Sequence, residues 1–156
     1  MRLLVVAVTA RQPAWLEDGV AQYLQRLPKD WALELKTVKP EPRQTGKTVE
    51  QMMALEAQRI ENALPAGAWR VVLDEKGQGL RTTQFAEKLQ AWQQSHGCIA
   101  FIIGGPDGLA PSVKEAAHTT LQLSEMTLPH GLAKLLLTEQ LYRAHSLLVG
   151  HPYHRE

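Results

Sequence analysis

Short, continuous apolar runs recur along this chain, each separated from the next by a stretch with helical periodicity. "LLVVAV" (Leu3 to Val8), "WRVVLD" and "CIAFII" carry few or no polar residues. Runs of this length, rich in valine and isoleucine, read as strands buried on both faces, and such strands belong to a parallel sheet covered by helices on each side. The intervening segments supply those helices. Pro13 opens one with Leu16, Val20, Tyr23, Leu24 and Leu27 at helical spacing, and Pro28 closes it. Thr48 with Gln51 three residues later gives a capping-box start to a second, through Val49, Met52, Met53, Ile60 and Leu64. A third begins near Thr82, places Phe85, Leu89 and Trp92 on one stripe, and ends at Gly97. Pro111 starts a short helix, "TLQL" reads as a short strand, and "GLAKLLLTEQLYRAHSLL" as a long amphipathic helix. "WALELKTV" alternates, with Trp31, Leu33 and Leu35 on one face, so it reads as a strand with one wetter side. The alternation predicts an α/β fold: a mostly parallel sheet with helices on both faces and "CIAFII" at its centre.

The chain is 156 residues long, without repeats or a low-complexity linker, and is expected to form a single domain over 1–156. No segment approaches the ~20 apolar residues of a membrane span. The N-terminal apolar run is short and lacks a small-residue cleavage site, so it reads as a strand and the protein as cytoplasmic, with no membrane partner. Cys98 is the single cysteine, which excludes an internal disulfide. The net charge of +1 argues against binding nucleic acid through bulk phosphate neutralisation. The loop "KPEPRQTGK" sets Lys39, Arg43 and Lys47 against Glu41, and reads either as a solvated proline-rich loop or as a local phosphate patch.

In open α/β sheets, ligands gather beyond the carboxyl ends of the strands. Three such ends carry unusual loops: "LDEKGQG", "IGGPDG" and "LSEMTLPH". Gly104, Gly105 and Gly108 either let backbone approach a ligand or make a tight strand-to-helix turn. The pattern is neither a P-loop nor a dinucleotide fingerprint. In "LSEMTLPH", Leu123, Met126 and Leu128 interleave with Ser124, Glu125 and Thr127, which reads as an apolar wall with backbone groups facing a flat ligand. Glu139 and Arg143 are four apart on the last helix, as in a helical ion pair, or with Arg143 free for a phosphate. His151 and His154 make an H-x-x-H, but no cysteine cluster or H-E-x-x-H accompanies them, and no metal is expected.

"IGGPDGL", then "LSEMTLPH", then "LLLTEQLYRA" and the terminal "HPYHRE" together resemble the SPOUT-class methyltransferases, and the likeness extends over the whole chain. Within that class it is to small bacterial enzymes acting on N3 of a pseudouridine in 23S ribosomal RNA. The resemblance implies a C-terminal trefoil knot, a homodimer, and S-adenosylmethionine bound by Leu73, Gly104 and the run Leu123, Ser124, Glu125, Met126, Thr127 and Leu128. It also implies that the tail completes the substrate side of the pocket across the dimer, on a ribosome already assembled. Tyr153 then stacks on a base, while Arg143, His154 and Arg155 contact phosphate or base edges. Transfer requires N3 to lose its proton. His154, neutral at physiological pH when unperturbed, is the first candidate for general base and Glu139 the second. The competing expectation is a non-catalytic RNA- or ribosome-binding module that uses the glycine loop for phosphate.

Overall fold

The structure is a computed structural model and describes residues 1–153. Its strands are β1 (Arg2–Val8), β2 (Glu34–Val38), β3 (Trp69–Gly79), β4 (Cys98–Ile103) and β5 (Thr119–Gln122). Its helices are α1 (Ala14–Arg26), α2 (Val49–Ala63), α3 (Thr82–Ser95), α4 (Pro111–Glu115) and α5 (His130–Val149). The strands form one five-stranded sheet in the order β2-β1-β4-β3-β5, and every pairing is parallel. β4, the most apolar run, is central as expected.

Alternation along the strands sorts the core into two layers. Leu3, Val5 and Ala7 of β1, with Ile99, Phe101 and Ile103 of β4, face Phe85, Leu89 and Trp92 of α3 and Leu137, Leu141 and Ala144 of α5. Leu4, Val6 and Val8, with Ala100 and Ile102, face Ala57 and Ile60 of α2 and Val113 of α4. Consecutive residues of one strand thus serve opposite faces, which is why these runs contain no polar position. α1 leans on α5, where Leu135 passes close to Gly19. The capping box that starts α2 is formed: Gln51 N donates to Thr48 Oγ1 at 3.1 Å, and Thr48 N donates to Gln51 Oε1 at 2.9 Å.

Two expectations are corrected. The alternating stretch from Trp31 does not pair from its start. Lys29–Trp31 is a 3-10 turn, Ala32 takes a left-handed conformation (φ 47°), and β2 begins only at Glu34. The reason is burial: Trp31 turns into the core, 7% exposed, with its ring edge-on to His145 at 5.1 Å. The second correction concerns "LDEKGQG", which is not a free loop. β3 continues to Gly79, and both Leu73 and Gln78 pair with Leu121 of β5, so residues 74–77 bulge out of the ladder. Gly77 lies against the β5 backbone there. An added Cβ would sit 2.5 Å from the Leu121 carbonyl carbon, so only glycine fits.

Two predictions follow from this packing. Leu141 is fully buried in the middle of α5, so Leu141→Ala should cost about 2–5 kcal/mol in urea unfolding. A loss below about 1 kcal/mol would mean that the α5 seam relaxes around the cavity. The second concerns acid. Burial holds the His130 and His145 imidazoles below their ordinary pKa, and the Lys134 ammonium adds to this at His130. The unfolded imidazoles bind protons near pH 6.5 and the folded ones only at lower pH, so their contribution is whole above about 6.5 and lost as pH falls. The melting temperature should therefore drop between about pH 7.5 and about pH 5.5, and less steeply in His145→Gln. A melting temperature flat over that range would contradict the burial of both rings.

Candidate functional site

Because β3 lies between β4 and β5, their carboxyl ends open on one cleft of about 740 Å³. That is ample for a nucleoside-sized ligand. Leu73 lies at its floor, the loop from Gly104 to Leu109 forms one wall, and Leu123, Ser124 and the run from Met126 to His130 form the other. Of the eight residues expected to hold a cofactor, seven border this cleft: Leu73, Gly104, Leu123, Ser124, Met126, Thr127 and Leu128. Glu125 is exposed and does not border it.

The glycine loop is a turn in which Gly108 N donates to Gly105 O at 3.0 Å, with Gly108 at φ +83°. Gly104 has a reason of its own. A Cβ there would come within 2.8 Å of the Gly108 carbonyl carbon and 2.9 Å of Leu109 Cγ, so the loop's own closure demands glycine at 104. Opposite, Met126 N donates to Ser124 Oγ at 2.9 Å, which tightens the wall. Leu123 and Leu128 are half-buried, whereas Met126 is 79% exposed instead of packing inward with them. The cleft is bordered by Asp74, Glu75 and Asp107, against Lys114, whose Nζ is 3.7 Å from Asp74 Oδ1. His130, held toward its neutral form by burial, and Ala133 bring the first turn of α5 to the rim. The first amides of that turn have no helical acceptor. Sequence reading named the loops but not Asp74, Asp107 or His130 as wall residues, although all three stand within the quoted motifs.

Of the expected substrate residues, Arg143 and Tyr153 do not border the cleft in their own chain. Glu139 lies nine residues beyond His130, about 14 Å along the helix at 1.5 Å per residue. There it organises a second cluster. Glu139 Oε1 accepts from Arg143 Nε at 2.9 Å, from Arg143 Nη2 at 2.7 Å and from the Tyr153 hydroxyl at 3.0 Å, while Oε2 accepts from Gln140 Nε2 at 2.9 Å. Both oxygens of Glu139 are thus engaged. Burial, followed by the neighbouring Tyr23 and Glu139, pushes the Tyr153 phenol above its ordinary pKa, so it stays protonated. Its ring stands edge-on to Tyr142 at 4.6 Å and carries the Arg143 guanidinium 4.9 Å from its centre. Arg26 sits 5.3 Å from the Tyr23 ring and 5.9 Å from that of Tyr142. Tyr153 is therefore seated in an aromatic and cationic patch, not loose at a terminus. His154 and Arg155 lie outside the described residues.

Two of the basic loop's three cations, Arg43 and Lys47, are engaged by carboxylates. Glu41 pairs with Lys47 and Arg59, each at 2.6 Å, and Arg43 pairs with Glu56 at 3.0 Å and with Asp107 at 2.9 Å. Among the described residues no group of three histidine, cysteine or acidic side chains is placed to hold a metal ion. Among them, too, no helix is long and apolar enough to cross a membrane.

Comparison with known proteins places this geometry. A family model described as "Predicted SPOUT methyltransferase" matches residues 1–154. The chain is 57% identical over 156 residues to the ribosomal RNA large subunit methyltransferase H of Methylibium petroleiphilum, with 100% of each chain covered. It is 50% identical over 155 residues to the protein of that name from Ralstonia pickettii, with 99% of each covered. In fold it is similar to a probable methyltransferase from Bordetella pertussis Tohama I, with a TM-score of 0.59 at 15% identity over 92% of this chain and 95% of that one. An α/β sheet with one cleft at the ends of β3, β4 and β5, matched end to end by the family model and by these relatives, identifies the chain as a member of the SPOUT methyltransferase family.

Proposed function

We propose that this chain, acting as a single domain and as a homodimer, binds S-adenosylmethionine in the cleft and methylates N3 of a pseudouridine in 23S ribosomal RNA on the assembled ribosome. The observation that carries the reading is the convergence of seven expected cofactor residues on one cleft, in a chain whose relatives are named as large-subunit ribosomal RNA methyltransferases. The fit to the donor is chemical as well as spatial. Half-buried Leu73, Leu123 and Leu128 suit the faces of an adenine ring. Glu75, which has no ion pair among the described residues, suits a ligand bearing a sulfonium and an ammonium, whereas Asp74 is engaged by Lys114 and Asp107 by Arg43. A neutral His130 adds no opposing charge. S-adenosylmethionine supplies an electrophilic methyl on sulfur, so the protein's task is chiefly placement.

The substrate side comes from the second cluster. Glu139 fixes Arg143 and Tyr153, presenting a cation and an aromatic ring suited to phosphate and base. With both oxygens occupied, Glu139 serves as the holder of these groups, which leaves His154 as the base that takes the N3 proton. The cleft and this cluster cannot meet within one chain across about 14 Å of α5. A two-fold related copy with α5 reversed brings the cluster of one protomer to the cleft of the other. Apolar surface on the α1–α5 layer supports such pairing: Trp15 is 63% exposed and Leu136 39%. The strand order β4-β3-β5, with α5 returning over the sheet, fits the trefoil threading that the family resemblance implies.

The shared site has a direct test. Leu128→Arg places a cation in the cofactor slot, and Arg143→Ala removes the substrate cation. Each should be inactive on ribosomes alone, and Arg143→Ala should bind S-adenosylmethionine in calorimetry as the wild type does. Co-expressed, half of the dimers are mixed and each mixed dimer owns one intact site, so about a quarter of wild-type activity should return. No recovery would contradict a pocket built from two chains. A wild-type chain with no affinity for S-adenosylmethionine would favour a non-catalytic RNA-binding module.

A further inference from the structure

The loop between β2 and α2 passes beside the glycine wall of the cleft, and a buried carboxylate joins the two. Glu56, on the inner side of α2, is 2% exposed. An unpaired carboxylate there would be strongly unfavourable. Its Oε2 accepts from Glu41 N at 2.8 Å and from Arg43 Nη1 at 3.0 Å. Arg43 Nη1 also donates to Glu41 O at 2.8 Å, so the guanidinium is held by its own loop. Its Nε is buried and makes no hydrogen bond among the described residues, but lies 2.9 Å from Asp107 Oδ2 as an ion pair.

Asp107 belongs to the turn that closes between Gly105 and Gly108, and it borders the cleft. The same turn rests on Glu56 from above. A Cβ on Gly105 would stand 3.5 Å from Glu56 Oε1 and 3.1 Å from Val8 Cγ1. Glu56 thus supports the turn from beneath, and Arg43 ties its tip. A guanidinium faces the two carboxylates from separate edges in fixed directions, whereas a lysine ammonium is a point charge with no such planar fork. Arg43 itself does not border the cleft.

We propose that Arg43 is a positioning residue for donor binding: its guanidinium clamps Asp107 of the glycine wall to the buried Glu56 of α2 and thereby sets the shape of the cofactor slot. This rests on the reading of the cleft as the S-adenosylmethionine site. Glu41, Lys47 and Arg59 form the outer part of the same network, but none of them contacts Asp107. The loop's anchoring and the wall's positioning can therefore be separated by mutation.

Calorimetry with S-adenosylmethionine on the full chain decides the matter. Arg43→Ala should weaken binding about tenfold, and Asp107→Asn by a similar factor. Because both changes break one link, the double variant should be no weaker than about twofold below either single one. Lys47→Ala, which removes a cation from the same loop without touching Asp107, should stay within about twofold of wild type. In turnover on ribosomes, KM for the donor should rise with Arg43→Ala far more than kcat falls, a split that mere loss of stability does not produce. Should Arg43→Ala not fold, Arg43→Gln keeps one donor for Glu56 and loses the Asp107 contact, and the same losses are expected. Wild-type binding with Arg43→Ala unchanged would overturn this inference alone, as would multiplying losses in the double variant or an equal loss in Lys47→Ala. Absence of wild-type binding would overturn the reading of the cleft and this inference with it.

Discussion

Parallel pairing of β3 between β4 and β5 is the constraint on which the rest of the structure depends. Parallel strands end on the same edge, so the loops after Leu73, Ile103 and Leu121 must rise side by side. These loops are far apart in sequence, yet backbone hydrogen bonding alone delivers them to one place. The two-faced burial of β1 and β4 then fixes which side each helix takes. α5 packs against α1, α3 and the sheet, so its first turn emerges at the cleft and its middle turns stand beside Tyr23.

Electrostatics divide the molecule in the same way. The cleft borders carry Asp74, Glu75 and Asp107 with Lys114 among them, and a histidine kept toward its neutral form. The cluster about Glu139 carries Arg26 and Arg143 among three tyrosines, surroundings suited to nucleic acid. A chain of net charge +1 has no basic surface overall, but Arg26 and Arg143 stand together where aromatic rings flank them. Arg43 and Lys47 in the loop before α2, with Arg59 of α2, are engaged by carboxylates and hold the fold together.

Strand order apart, most of the fold was legible because its signals are local. Capping at Thr48, proline at 13 and 111, and apolar runs at 3–8 and 98–103 act over a few residues, and the structure follows them. What was not legible depends on distant partners. Trp31 leaves the strand pattern because His145 and the core receive it. Residues 74–77 bulge because the following residues find pairing on β5. Gly104 read equally as room for a ligand or as a tight turn, and it is the backbone of Gly108, not visible in local sequence, that gives the turn its need for glycine there. Glu139, a candidate base by type and position, accepts hydrogen bonds from Arg143 and Tyr153, and only the fold brings Tyr153 back onto it. The link from Glu56 through Arg43 to Asp107 joins residues on three separate segments and leaves no trace in local pattern.

Ribosomes from a strain lacking this activity would be incubated with the purified protein and methyl-labelled S-adenosylmethionine, and the large-subunit RNA digested and examined by mass spectrometry. One methyl per large-subunit RNA is expected, on N3 of a pseudouridine, with assembled ribosomes far better substrates than naked RNA. Label on another nucleotide or another atom, or no label from a protein that binds the donor, would contradict this expectation.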